Sequence, residues 1–331
     1  MSLAASPSVL AGPSELAGSE RPWPSLRQAW WAVAVFALGA ILSYTDRQIL
    51  SLLVDPIRGD LHISDTQVGL LQGLAFALIY SLAGLPLGRL ADILPRRSVI
   101  LAGVLVWTAA TVACGLSRSL GALFAARVFV GVGEAALAPA AMSMITDLFP
   151  SHRRGTAIGV FVMGMVVGGG VALAIGGSLL EAARTGLFEA VPLLGAVPPW
   201  RAVLLVLGAP GVVIALLLLT IREPVRRHGA GETVARRYSL REVAGALAAR
   251  RRLVAPLLGA MALMSVGDFS LLNWTPALLS RNYRLSAGEI GVALGALVVV
   301  TGALGTVLGG LLSDRRARSG GTRGRIGAAA A

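Results

Sequence analysis

The sequence predicts an all-α integral membrane protein: a helical bundle of about eight spans, with a six-span N-terminal half and an incomplete C-terminal half. Three observations predict it. Hydrophobic residues make up 55% of the 331-residue chain and charged residues 14%. Several apolar runs approach the roughly 20 residues that cross a ~30 Å hydrocarbon core. The chain also repeats: Asp46 to Asp92 lies over Asp268 to Asp314 without a gap, which pairs Ser64 with Ser286, Gly69 with Gly291, Gly73 with Gly295 and Gly88 with Gly310. Parallel copies of a helical bundle make a transporter plan in which the substrate site lies between the copies. In hydrocarbon, helices satisfy their own backbones and small residues set how closely they approach. The 41 glycines suit that requirement.

Residues 1–26 are rich in Ser, Pro, Gly and Ala without sustained periodicity, and are expected to form a disordered cytoplasmic tail. The apolar run after them is too long for a signal peptide and lacks a small-residue cleavage site, so it is expected to stay as the first span. Spans are predicted at 28–54, 67–90, 98–117, 121–147, 155–181, 200–221, 253–280 and 288–312. The first six make an N-terminal bundle over 27–222. Ser64-x-x-Gln67 and Ser286-x-x-Glu289 are capping-box patterns that open the second span of each half. A basic cytoplasmic linker, 223–252, separates the halves; Arg222 to Arg252 holds nine arginines. Residues 253–331 form a partial C-terminal bundle of two helices and an interrupted loop.

Charge sets the orientation. All 29 basic residues are arginine and the net charge is +12. A cytoplasmic N-terminus places 21 arginines on the cytoplasmic side, six on the other and two inside spans. This is the positive-inside pattern, which favours both ends of the chain lying inside; the expected location is a bacterial inner (plasma) membrane. The linker would then lie against anionic headgroups, making membrane lipids the partners of its charge; nucleic acid is not indicated. The absence of lysine excludes Schiff-base chemistry. Cys114 stands alone, so no intrachain disulfide can form. His62, His152 and His228 lie far apart in predicted loops, so no metal or cofactor set is expected. The chain has no nucleophile–base constellation and no phosphate-binding loop, which argues against an enzyme and against ATP-driven transport.

Four charged residues of the first half fall well inside predicted spans: Asp46 and Arg47 in the first, Arg127 and Glu134 in the fourth. An ionisable group in a membrane costs at least ~2.5–3.5 kcal/mol and persists where it faces a cavity or a partner. Arg127 and Glu134 are two turns apart on one face, ~10 Å along the axis, so each needs something other than the other. One possibility is a structural ion network pinning the first span to the fourth. The other is a substrate and proton site. There a carboxylate exchanges its arginine for a proton as the cavity opens, with Glu134 the first choice as carrier and Asp46 the second. Arg47 and Arg127 would hold an anionic group of a small-molecule or lipid-like substrate. The second copy sets Phe269 where the first has Arg47, and offers Asp268, Asn273 and Trp274 instead. That asymmetry suits an amphipathic solute.

Gly88-Arg-Leu-Ala-Asp92-Ile-Leu-Pro-Arg96-Arg97 is the strongest short motif, with a second copy at Gly310, Asp314 and Arg315. Acid and base at facing helix ends could latch a cytoplasmic gate; a turn with a topology signal is the plainer alternative.

These residues resemble the major facilitator superfamily. The Gly88 to Arg97 turn is similar to its loop signature between spans two and three, departing at Ile93 and Pro95. Arg127-x-x-x-Gly131-x-Gly133-Glu134 with Pro139 resembles a fourth-span motif linked to proton coupling, and Asp147-Leu-Phe-Pro150 to Gly155 resembles the loop after it. Trp200-Arg201, Pro210-Gly211 and Arg222-Glu223-Pro224 are similar to the usual frame of the sixth span. Tyr44-Thr-Asp46-Arg47 and Trp274-Thr-Pro276 resemble the spinster branch. The resemblance implies that Asp46, Arg47, Arg127 and Glu134 line a central cavity, and that a lysophospholipid-like solute moves by alternating access coupled to protons. A proton-coupled carrier of organic anions or sugar acids is the close alternative. The superfamily plan has twelve spans and eight are counted here, so a fragment, or a truncated membrane protein that does not transport, is a further expectation.

Overall fold

The computed structural model describes residues 23–226 and 240–305. Gly310, Asp314 and Arg315 of the second-copy gate motif lie outside them. Every regular element among the described residues is helical. Eight helices are long and apolar enough to cross a membrane: Leu26–Ser51, Asp65–Ile93, Arg96–Leu116, Leu120–Leu148, Ser151–Arg184, Pro199–Leu219, Arg251–Tyr283 and Ala287–Gly305. The all-α membrane bundle read from the hydropathy is therefore the fold observed, and these helices are spans one to eight.

The ends differ where caps and prolines act. Span one tightens into a short turn at Ile49–Ser51 and stops there, and the connection forms its own helix, Val54–Leu61. His62 ends that helix with φ of 51°, and Ser64 starts span two with a complete capping box. Ser286 and Glu289 make the same reciprocal bonds at the start of span eight, 2.8 and 3.2 Å long. His152 lies in the first turn of span five, not in a loop, because that helix begins directly after Pro150.

Two spans are interrupted near their middles. Span two runs as Asp65–Gln72, then winds through a π-helical turn at Gly73–Leu78, and resumes at Ile79–Ile93. Span four breaks after Glu134 and restarts at Leu137–Leu148. Pro139 explains that break: it has no N–H for the carbonyl of Ala135, and its ring crowds that oxygen.

Glycines hold the spans at close range. A Cβ on Gly168 of span five would sit 2.7 Å from the Ile41 carbonyl of span one. Gly103 and Gly133 lock spans three and four reciprocally, each 2.6 Å from the other's carbonyl oxygen by the same measure. Gly170 and Gly295 form a like pair, also at 2.6 Å, between spans five and eight. That last seam joins the six-span half to the second copy. Span seven adds contacts to the end of span one, where Gln48 donates to the Leu272 carbonyl at 3.1 Å.

Candidate functional site

The break after Glu134 leaves its side chain buried against span one. Glu134 Oε2 accepts from Arg47 Nε at 2.7 Å and from Ser43 Oγ at 2.6 Å. Its other oxygen, Oε1, is buried without a partner. Arg47 lies among three aromatic rings: its guanidinium carbon is 4.8 Å from the Tyr44 centroid, 4.8 Å from Phe76 and 4.4 Å from Tyr80. Such rings attract a cation through their quadrupole, more so when it is desolvated.

Asp46 points elsewhere, as adjacent positions on a helix must. Its Oδ2 accepts from Trp107 Nε1 at 2.5 Å and Thr111 Oγ1 at 3.0 Å, both on span three. Its Oδ1 is buried and unpartnered. Arg127 Nη1 reaches the backbone carbonyl of Asp46 at 3.4 Å, not the carboxylate, and Arg127 Nε has no partner. The four intramembrane charges thus gather into two clusters, Arg47 with Glu134 and Arg127 with Asp46. Sequence reasoning missed Ser43, Phe76, Trp107 and Thr111. Trp107 alone carried a signal, since a tryptophan N–H in an apolar run needs an acceptor.

A cleft of about 490 Å³ opens between spans one, two and seven. Its walls include Arg47, Phe76 and Tyr80 from the first half and Phe269, Asn273 and Trp274 from the second. Asn273 and Trp274, two of the residues the second copy offers, line the same cleft as Arg47. Asp268 does not line this cleft; it is exposed on span seven, one position before Phe269. Arg47 is the cleft's charged wall, and the remaining lining is apolar or neutral polar.

Comparison with known proteins decides the family. The sequence model of the Major Facilitator Superfamily matches residues 36–331. The chain belongs to the Major Facilitator Superfamily. It is 30% identical over 88% of its length to an MFS-type efflux pump of Mycolicibacterium smegmatis, covering 64% of that protein. It is 26% identical over 87% of its length to Protein spinster of Drosophila melanogaster, covering 46% of it. The crystal structure of a bacterial homolog of the human lysosomal transporter spinster, inward-facing and unoccupied, superposes with a TM-score of 0.76 at 34% identity. That match covers 88% of this chain and 64% of the other. The chain therefore spans less than two thirds of the length of these relatives. The spinster-like resemblance carried by Tyr44 to Arg47 and Trp274 to Pro276 is borne out, and the fold is that of a transporter family, not an enzyme.

The superfamily's loop signature shows a different wiring from the expected latch. Arg96 is fully buried at the start of span three. It donates to Asp147 at 2.5 Å, Glu223 at 2.9 Å, Ser143 Oγ at 3.0 Å and the Pro224 carbonyl at 3.1 Å. The backbone N–H of Arg97 donates to Glu223 at 2.8 Å, and its guanidinium donates to the Ile221 carbonyl at 3.0 Å. Among the described residues, the Asp92 carboxylate makes no ion pair with Arg96 or Arg97. Arg226 instead donates to the carbonyls of Ala91, Asp92 and Leu94 at the end of span two. Charge complements both helix dipoles: Glu223 sits at an N-terminus and Arg226 at a C-terminus. These acid–base contacts stitch spans two, three, four and six together within the first half, because Arg96 points inward under the turn. Gly88 has open space around it, so no close helix approach explains it here.

An ion-paired clasp between the halves lies on the opposite face, and the sequence did not announce it. Arg281, at the end of span seven, donates to Asp55 from Nε and Nη2 at 2.8 and 2.7 Å and to Asp65 from Nη1 and Nη2 at 2.9 and 2.8 Å. A cavity of about 40 Å³ remains beside this clasp, walled by Asp55, Arg184, Pro276 and Ile290.

Proposed function

We propose that the chain forms the substrate- and proton-binding part of a proton-coupled secondary transporter for an anionic amphipathic solute, with its N-terminus cytoplasmic in a bacterial inner membrane. One observation carries the proposal: the cleft's single charged wall, Arg47, is held by a carboxylate whose second oxygen is buried and unpartnered. A proton on Glu134 neutralises that carboxylate and frees the Arg47 fork for a substrate anion. Conversely, an anion that takes Arg47 leaves Glu134 buried alone, which favours its protonation. Anion and proton binding then reinforce each other, by the same factor in both directions. The aromatic part of the cleft lining, Phe76, Phe269 and Trp274, suits an acyl chain, and the neutral polar groups such as Gln72 and Asn273 suit the rest of an amphiphile's headgroup. The clasp at Arg281 closes the outer face in this state, and alternating access requires that it open.

The test is ligand binding in nanodiscs, read by tryptophan fluorescence with Trp274→Phe as control. Oleoyl lysophosphatidylglycerol should bind and gluconate should not compete. Saturable competition by gluconate would favour a sugar-acid carrier instead.

A further inference from the structure

Phe76 is the side chain that belongs to all three parts of the site. It lines the cleft. Its ring centroid is 4.8 Å from the guanidinium carbon of Arg47 and 5.6 Å from that of Arg127. Among the described residues no other ring lies over both arginines. Arg47 pairs with the Glu134 carboxylate and Arg127 reaches the backbone carbonyl of Asp46, and each of these two acids keeps one buried, unpartnered carboxylate oxygen, Glu134 Oε1 and Asp46 Oδ1.

The backbone explains why the ring is there. The π-helical turn at Gly73–Leu78 carries an extra residue per turn, which rotates the rest of span two by about 100° relative to a continuous α-helix. Such turns are uncommon and cluster at functional sites. Gly131 secures the placement: a Cβ there would lie 3.1 Å from the Phe76 carbonyl, and Gly131 shares a helix face with Arg127. Tyr80 stacks on Phe76 with centroids 5.6 Å apart and a 25° interplanar angle. The titratable and charged groups around the ring are Arg47 and Tyr44 from span one, Tyr80 from its own span and Arg127 from span four. Asp46 and Glu134 stand beyond the arginines. Span seven brings Phe269, Ser270, Asn273 and Trp274 to the cleft, all neutral.

We infer that Phe76 is a positioning residue that links the two clusters: an amphiphile entering the cleft displaces the ring, and the ring carries that displacement from Arg47 to Arg127 and so to Asp46. This rests on the proton-coupled function proposed above. A second proton site would then respond to substrate although it lies outside the cleft wall, and the π-helical turn would be the element that places it in reach.

The experiment counts protons taken up per oleoyl lysophosphatidylglycerol bound, at saturating probe, by protein in nanodiscs in weak buffer. Saturation removes any effect of altered affinity. Phe76→Leu should cut the uptake to roughly half of wild type, and Phe76→Tyr should restore it, since both rings carry the quadrupole. Asp46→Asn should give the same reduced value, and the Phe76→Leu/Asp46→Asn double variant should fall no further, the signature of two residues acting as one unit. Wild-type uptake in Phe76→Leu, or additive losses in the double variant, would overturn the inference and leave the proposed function standing. Wild-type protein that binds the probe without taking up protons would overturn the proton-coupled function, and this inference with it.

Discussion

Arg281 at the end of span seven holds Asp65 at the start of span two through two parallel hydrogen bonds of 2.9 and 2.8 Å, and the same guanidinium holds Asp55. One residue of the second copy thus clasps two carboxylates of the first. The groups are about a third exposed (34% for Arg281 and Asp55, 42% for Asp65), so the clasp is a weak one, on the order of 1 kcal/mol. The proposed alternating access needs that: strong enough to bias a state, weak enough to open. Arg281→Ala should raise the population open on this face roughly fivefold. Spin labels at Gly59 and Tyr283 would read it as a second, longer distance. High salt on the unsubstituted protein should move the distribution the same way, because exposed pairs are screened. A distance distribution unchanged by both treatments would show that Arg281 does not bear on the gate.

Arg96 should behave in the opposite manner, as a structural hub. It is 1% exposed and its partners Asp147 and Glu223 come from different elements. Removing one member of a buried ion network costs about 3–5 kcal/mol, because the remaining charges lose their compensation. Arg96→Ala should therefore lower the melting temperature in detergent by about 10 °C. Arg96→Lys should recover part of that loss, since lysine keeps the charge without the planar fork. A melting temperature within a degree of wild type for Arg96→Ala would contradict the hub.

The seam between spans five and eight yields a third prediction. Gly295 packs on the Gly170 carbonyl, whereas Gly305 on the same helix has open space around its Cβ position. Gly295→Val should separate the two spans and lower thermal stability by several degrees, while Gly305→Ala should be neutral. Equal effects at both positions would mean that the glycine contact does not set the seam.

Much of this molecule was legible in its sequence, and the limits have physical causes. Hydropathy gave all eight spans, because hydrocarbon thickness sets a minimum apolar length that every spanning helix must reach. The two capping boxes were legible since their bonds are local. The second copy's departure from the first at Phe269 drew attention to Asn273 and Trp274, which line the cleft, and the cost of burying charge singled out Asp46, Arg47, Arg127 and Glu134. What the sequence withheld was pairing. Whether Asp46 faces an arginine or Trp107 depends on how spans one and three rotate against each other, and no spacing along one helix encodes that. The π-helical turn that places Phe76 has no residue signature of its own. Arg96 and Asp92 looked like partners because they are close in sequence, but Asp147 and Glu223, far along the chain, reach Arg96 first. Arg281 was counted only for its sign, because its two partners lie more than 200 residues away.

The most direct test of the proposed coupling is the uptake of oleoyl lysophosphatidylglycerol into proteoliposomes with and without an imposed pH gradient, comparing the protein with its Glu134→Gln variant. Glutamine keeps the shape of a protonated Glu134 and leaves Arg47 free. The gradient should accelerate uptake by the unsubstituted protein. Its affinity for the probe should weaken as pH rises, because anion and proton binding reinforce each other in the proposed coupling. The variant should bind the probe with a pH dependence cut to roughly half, that of the remaining site at Asp46, and the gradient should accelerate its uptake correspondingly less. Uptake by Glu134→Gln that follows the pH gradient as steeply as uptake by the unsubstituted protein would contradict Glu134 as the proton carrier.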